Sequence, residues 1–210
     1  MQKQVIRICA NAWAAFLDFA AGVGIVAIIS MFEATLLQLL IGGMLALLPD
    51  YINIPWIYKI LTGQKIPYDH HANWSHRPVL MIPAVALICG LLGGERWTLI
   101  GLVCLLWHFL HDYPFGDGYL NWGWLPFGWG TPDRTVLIDH DYWLDKNWLR
   151  HSWKFQTEVG SGIAIFVVAL METEHQLLSV LALVVLMLLF FSWHLVTRQY
   201  EPLPDHSLEV

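Results

Sequence analysis

The stretch VLMIPAVALICGLLGGERWTLIGLVCLLWHFLHD, residues 79–112, decides how the rest of the chain is read. Two apolar runs, 79–92 and 97–112, flank a short break at Gly93, Gly94, Glu95 and Arg96. An apolar segment of about 20 residues spans the hydrocarbon layer of a bilayer. Each run is shorter than that, so each reads as a membrane helix that needs tilt, local thinning or burial among neighbours. The second run ends in Trp-His-Phe-Leu-His-Asp, which gathers His108, His111 and Asp112 at one end of a helix that otherwise carries no charge.

The composition agrees. The 210 residues are 57% hydrophobic and 13% charged, where a soluble domain carries roughly 25% charged residues. The formal charge of −6 and the lack of a basic run speak against nucleic acid as a partner. Cys9, Cys89 and Cys104 lie scattered in apolar runs, with no spacing that suggests a thiolate zinc site or a disulfide framework.

Six apolar segments are expected to be helices: 5–31, 34–48, 79–92, 97–112, 159–171 and 176–197. The fold class is therefore all-α, a polytopic membrane protein with about six transmembrane helices in one domain, 1–200. Arg7 and Asp18 interrupt the first segment where a signal peptide would be unbroken, so that helix is expected to be retained. With the N-terminus cytoplasmic, every Lys and Arg except Arg96 falls on the inner side, as the positive-inside rule requires. Both termini are then cytoplasmic.

The connection 113–158 holds six of the twelve tryptophans: Trp122, Trp124, Trp129, Trp143, Trp148 and Trp153. Tryptophan favours the headgroup level, so this segment is expected to cover the inner face as an interfacial loop. Residues 201–210, with two prolines, read as a loose tail.

This topology brings the titratable groups to one side. Asp50 ends the second helix after Pro49, and Pro49 and Pro55 suggest an extended turn that aims the carboxylate. The segment YDHHANWSHRP places His70, His71 and His76 before the third helix, with Arg77 at its start. The five-residue spacing of His71 and His76 suits an irregular loop or a helix entry. His108 and Asp112 are four apart, one turn apart on one helix face, and such a pair can hold a divalent ion. Imidazole ligates zinc, iron, copper and nickel. His70 either ligates or orients a neighbouring ligand, and Arg77 either meets a phosphate or snorkels to the interface. Asp18 lies inside the first helix, where a charge costs about 2.5–3.5 kcal/mol, and must have a partner or a wet cavity. It faces the same site or pairs with Asn11 or a histidine. Asp139, His140, Asp141 and Asp145 read as a solvated loop or as further ligands, and His194 as an interior histidine.

The order Leu48-Pro49-Asp50, then His71 and His76, then His108-x-x-x-Asp112 followed by GDGYLNWGWLPFG, resembles the YdjM-like inner-membrane proteins, a family described as membrane-bound metal-dependent hydrolases. That family is grouped with the zinc-dependent phospholipase C and single-strand nuclease superfamily, whose helical members hold clustered zinc through His-x-x-x-Asp pairs. The match covers about residues 42–127. His-Ala-Asn-Trp-Ser-His-Arg stands where the family has His-Arg-Gly-x-Thr-His-Ser, and Trp107 replaces the serine before His108. A second alignment puts His76-Arg77 on the family's His-Arg and leaves Met81 in place of a histidine. The early histidine of the family's first helix is missing, with Asp18 or Asn11 as stand-ins.

The resemblance implies a bacterial inner-membrane hydrolase. Asp50, His71, His76, His108 and Asp112 would hold one or more divalent ions, zinc foremost. His70 or His111 would move a proton, and Arg77 would bind a phosphate. The membrane setting suggests a phosphorylated lipid as substrate and membrane lipid as partner. The alternative is a metal-binding transporter or sensor without chemistry, in which Asp18 and Glu33 would line a path. The sequence leaves the oligomeric state open.

Overall fold

Residues 2–29 contain no proline and are rich in alanine, valine and isoleucine, and they form one unbroken helix, α1 (Gln2–Ile29). A computed structural model of the chain describes residues 2–52, 57–58, 61–62, 74–111, 152–173 and 176–197. Among these, every regular element is helical. A turn through Met31 and Phe32, both at positive φ, leads to α2 (Leu36–Ala46). Thr35 caps α2: its side chain accepts from the Gln38 backbone, and the Gln38 side chain accepts in return from the Thr35 N–H.

The seam between α1 and α2 is built from small residues. A Cβ on Gly22 would run into the Gly42 carbonyl oxygen and the Ala46 methyl, and one on Gly42 would overlap Val26. Such close backbone approach is how helices associate where lipid is as apolar as the side chains. Val23, Val26, Ala27, Leu39 and Ala46 fill this interface, together with Ile100 and Cys104 from the fourth helix.

Asp50 lies in a separate single turn, α3 (Leu48–Tyr51), rather than in the extended turn expected from Pro49 and Pro55. Pro49 falls in the first turn, where its fixed φ suits a helix and its missing N–H leaves no bond unmade. Leu47, at φ −89° and ψ −6°, joins α2 to α3.

A short 3-10 turn, Trp74–His76, precedes α4 (Pro78–His111). This is the helix entry that the His71–His76 spacing allowed. α4 is not straight. Gly94 sits at φ 77° and ψ −167°, a backbone state reserved in practice for glycine. The chain folds back there into two antiparallel arms, 78–93 and 95–111, as the polar break suggested. A Cβ on Gly90 would meet Thr98 and one on Gly101 would meet Cys89. Met81, Val85 and Cys89 pack with Leu105 and Phe109 farther along the hairpin.

α5 (Ser152–Met171) and α6 (Gln176–Thr197) complete the described structure. α5 begins seven residues before the expected 159, so residues 152–158, placed in the Trp-rich loop from the sequence, are helical. The segment Ser-Trp-Lys-Phe-Gln-Thr-Glu carries no breaker, and its polarity hid its helicity from a reading based on apolar runs. α1 is the hub: it packs against α2, α4 and α5, while α6 rests on α5. Trp13, Leu17, Val159, Ile163, Val167 and Trp193 form the core where α1, α5 and α6 meet.

Among the described residues, three helices are long and apolar enough to cross a membrane, over Ala12–Ile29, Pro78–Leu110 and Gln176–Trp193. The expectation was about six. Leu36–Ala46 and Gln156–Met171 are apolar but shorter, and the long Pro78–Leu110 stretch is divided at Gly94 into two arms. Most of the Trp-rich loop and the C-terminal tail lie outside the described residues.

Candidate metal centre

Three separate elements deliver the centre. The hairpin's open end brings its beginning, preceded by His76, next to its last turn, which carries His108. The end of α2 hands the chain to α3 and so to Asp50. His76 and His108 are 3% and 0% exposed, and the side chain of Asp50 is 30% exposed. Asp50 is thus the edge of the site open to solvent.

One ligand atom from each of Asp50, His76 and His108 lies within 4.8 Å of the others, close enough to hold one metal ion. Two edges of this triangle are shorter. His76 Nε2 lies 3.4 Å from His108 Nε2 and 3.3 Å from Asp50 Oδ1. Ligand atoms at about 2.0–2.1 Å from a tetrahedral ion are separated by about 3.3–3.4 Å, so these two edges have the length of a tetrahedral coordination edge.

The far sides of both imidazoles are engaged. Ser75 Oγ lies 3.0 Å from His76 Nδ1. Asp18 Oδ2 lies 3.8 Å from His108 Nδ1, and the Trp107 indole N–H donates to Asp18 Oδ1 at 3.1 Å. The 3.8 Å separation is longer than a hydrogen bond; a carboxylate only accepts, so a proton on His108 Nδ1 would face it favourably and leave a lone pair on Nε2. The Ser75 hydroxyl both donates and accepts, so it fits either tautomer of His76. The two Nε2 atoms and a carboxylate oxygen face one another in a largely buried space, where either a proton on His76 Nε2 shared with Asp50 or a bound cation satisfies them. The donor set of imidazole and carboxylate, without sulfur, suits zinc and other borderline divalent ions.

Asp50, His76 and His108 therefore meet as the sequence suggested. Arg77 follows His76 and is half-buried. His70, His71 and Asp112 lie outside the described residues, as do Asp139, His140, Asp141 and Asp145. His111 closes α4, while its side chain, like those of Asn11 and His194, lies outside the description. The buried Asp18 has partners, as it had to; among the described residues they include Trp107, and His108 lies 3.8 Å away. Sequence reasoning passed over Ser75 and treated Trp107 as a departure from a motif. Their only signal was adjacency to His76 and His108.

Compared with known proteins, the chain matches no family model, no curated protein and no solved structure.

Proposed function

We propose that this chain is a membrane-embedded, metal-dependent hydrolase of the YdjM-like kind, acting on a phosphoester of a phosphorylated lipid. Asp50, His76 and His108 hold a divalent ion, zinc foremost, with His71 and Asp112 completing the set. A bound zinc supplies an acidified water and a polarised phosphoryl oxygen. Arg77, one residue from His76, binds the phosphate. His70 or His111 carries the proton to the leaving group. The six helical segments cross a bacterial inner membrane with both termini in the cytoplasm, and the Trp-rich connection covers the inner face.

The observation that carries the metal part of this reading is the spacing of the Nε2, Nε2 and Oδ1 atoms around one point. The site lies toward one end of the apolar stretches. Asp18 lies six residues inside the Ala12–Ile29 stretch, about 9 Å from its start at 1.5 Å per residue. His108 lies two residues before the end of the Pro78–Leu110 stretch. The alternative, a metal transporter, finds little support along the bundle. The buried ionisable side chains other than cysteine, among the described residues, are Asp18, His76 and His108, all at this one place.

The test is hydrolysis of a panel of phosphomonoester and phosphodiester lipids by purified protein in lipid. Turnover should vanish with chelator, return with zinc, and be absent from His76→Ala and His108→Ala. Turnover indifferent to chelator and to both variants would overturn the proposal. Metal uptake into proteoliposomes without any turnover would favour the transporter.

A further inference from the structure

We infer that Asp18 is a positioning residue for this centre: the Trp107 indole holds its carboxylate beside His108 Nδ1, where it favours the tautomer with Nε2 directed at the ion. The inference rests on the metal reading above. It concerns α1, an element that contributes no atom to the ligand triangle.

Trp107 and His108 are consecutive on α4, yet they reach the two oxygens of the same α1 carboxylate. The indole donates to Oδ1 at 3.1 Å, and His108 Nδ1 faces Oδ2 at 3.8 Å. The Asp18 side chain is 5% exposed. An isolated buried carboxylate on a membrane helix is a burden, and a salt link to a distant basic group would be the ordinary remedy. Here the carboxylate lies beside an imidazole whose opposite nitrogen is 3.4 Å from a second imidazole. The line from Trp107 through Asp18 and His108 to the ligand point has the order of a carboxylate–histidine–metal relay, in which the outer carboxylate fixes the tautomer and raises ligand basicity.

Replacement by asparagine probes this directly. The amide oxygen can keep the Trp107 bond, which turns an N–H toward His108 Nδ1. That nitrogen must then accept, so the proton moves to Nε2 and blocks ligation. The experiment uses the full chain in detergent with cobalt(II) as probe, following affinity and visible absorption. Asp18→Asn should bind cobalt about 10- to 100-fold more weakly, with a spectrum shifted toward that of His108→Ala. Trp107→Phe should shift both in the same direction by less. Asp18→Asn with the parent's affinity and spectrum, beside a His108→Ala variant that has lost both, would overturn the role of Asp18 alone. A His108→Ala variant that binds cobalt as the parent does would overturn the metal reading itself. If Asp18→Asn does not fold, the histidine nitrogen NMR spectrum of the unmodified protein decides. His108 protonated at Nδ1 supports the inference, and protonation at Nε2 refutes it.

Discussion

Replacing Asp50 by asparagine exchanges one oxygen for an amide nitrogen and leaves the shape of the side chain almost unchanged. The carboxylate lies 3.3 Å from His76 and is 30% exposed, so solvent screens the pair and its loss should change the stability of the metal-free protein by less than about 1 kcal/mol. Metal binding should change far more. At a free ion concentration of about 100 times Kd, binding stabilises the folded chain by about 2.7 kcal/mol. Outer-sphere partners of ligands are worth up to about 100-fold in affinity, and a charged ligand should be worth at least as much. A 100-fold loss reduces the stabilisation at the same concentration to about 0.4 kcal/mol. At about 2–4 °C per kcal/mol, the zinc-induced rise in Tm should fall from about 5–11 °C to about 1–2 °C. The assay is thermal unfolding in detergent, with and without zinc. An Asp50→Asn variant that gains as many degrees from zinc as the parent refutes the ligand assignment.

Three further outcomes follow from the same structure. Gly94→Ala places a side chain at φ 77° with open space around it, so backbone strain alone should cost about 1–3 kcal/mol, seen as a lower Tm. An unchanged Tm would mean that the hairpin does not turn there. Gly42→Val drives branched carbons into Val26 and the Gly22 carbonyl and should cost about 1–3 kcal/mol or more. Because α2 leads directly to Asp50, it should also weaken zinc binding, whereas Gly160→Ala, which meets no neighbour within 4 Å, should leave zinc binding unaltered and raise stability by about 0.5–1 kcal/mol through helix propensity. Single cysteines at Lys65 and Arg96 should be labelled from opposite sides of the membrane, the former from the cytoplasm; labelling from one side defeats the proposed topology.

The hairpin was legible because Gly93-Gly94-Glu95-Arg96 interrupts two apolar runs with flexible and charged residues, and the backbone turns at Gly94. The convergence of Asp50, His76 and His108 was legible from topology, since the six-segment reading puts no helical pass between Asp50 and His76 and two between His76 and His108, which returns each to the same end. Three things were hidden. The turn holding Asp50 was read as extended because two prolines flank it, yet proline is compatible with a first helical turn. The start of α5 was missed because Ser152–Glu158 lacks an apolar signature. The partner of Asp18 could not be chosen among Asn11 and the histidines, because that choice depends on the rotation of α1 about its own axis. The Gly22–Gly42 contact fixes that rotation, and only packing reveals it. The span count suffered from a similar limit: two helices are apolar but fall short of the bilayer, so sequence hydropathy alone overstates what each can cross unaided.

X-ray absorption at the zinc edge of the purified, zinc-loaded chain tests the central claim most directly. The account predicts nitrogen and oxygen neighbours at about 2.0–2.2 Å, with the outer-shell scattering of two imidazoles, and loss of that imidazole pattern in the His76→Ala, His108→Ala double variant. Sulfur neighbours at about 2.3 Å, or a zinc environment the double substitution leaves untouched, would contradict it.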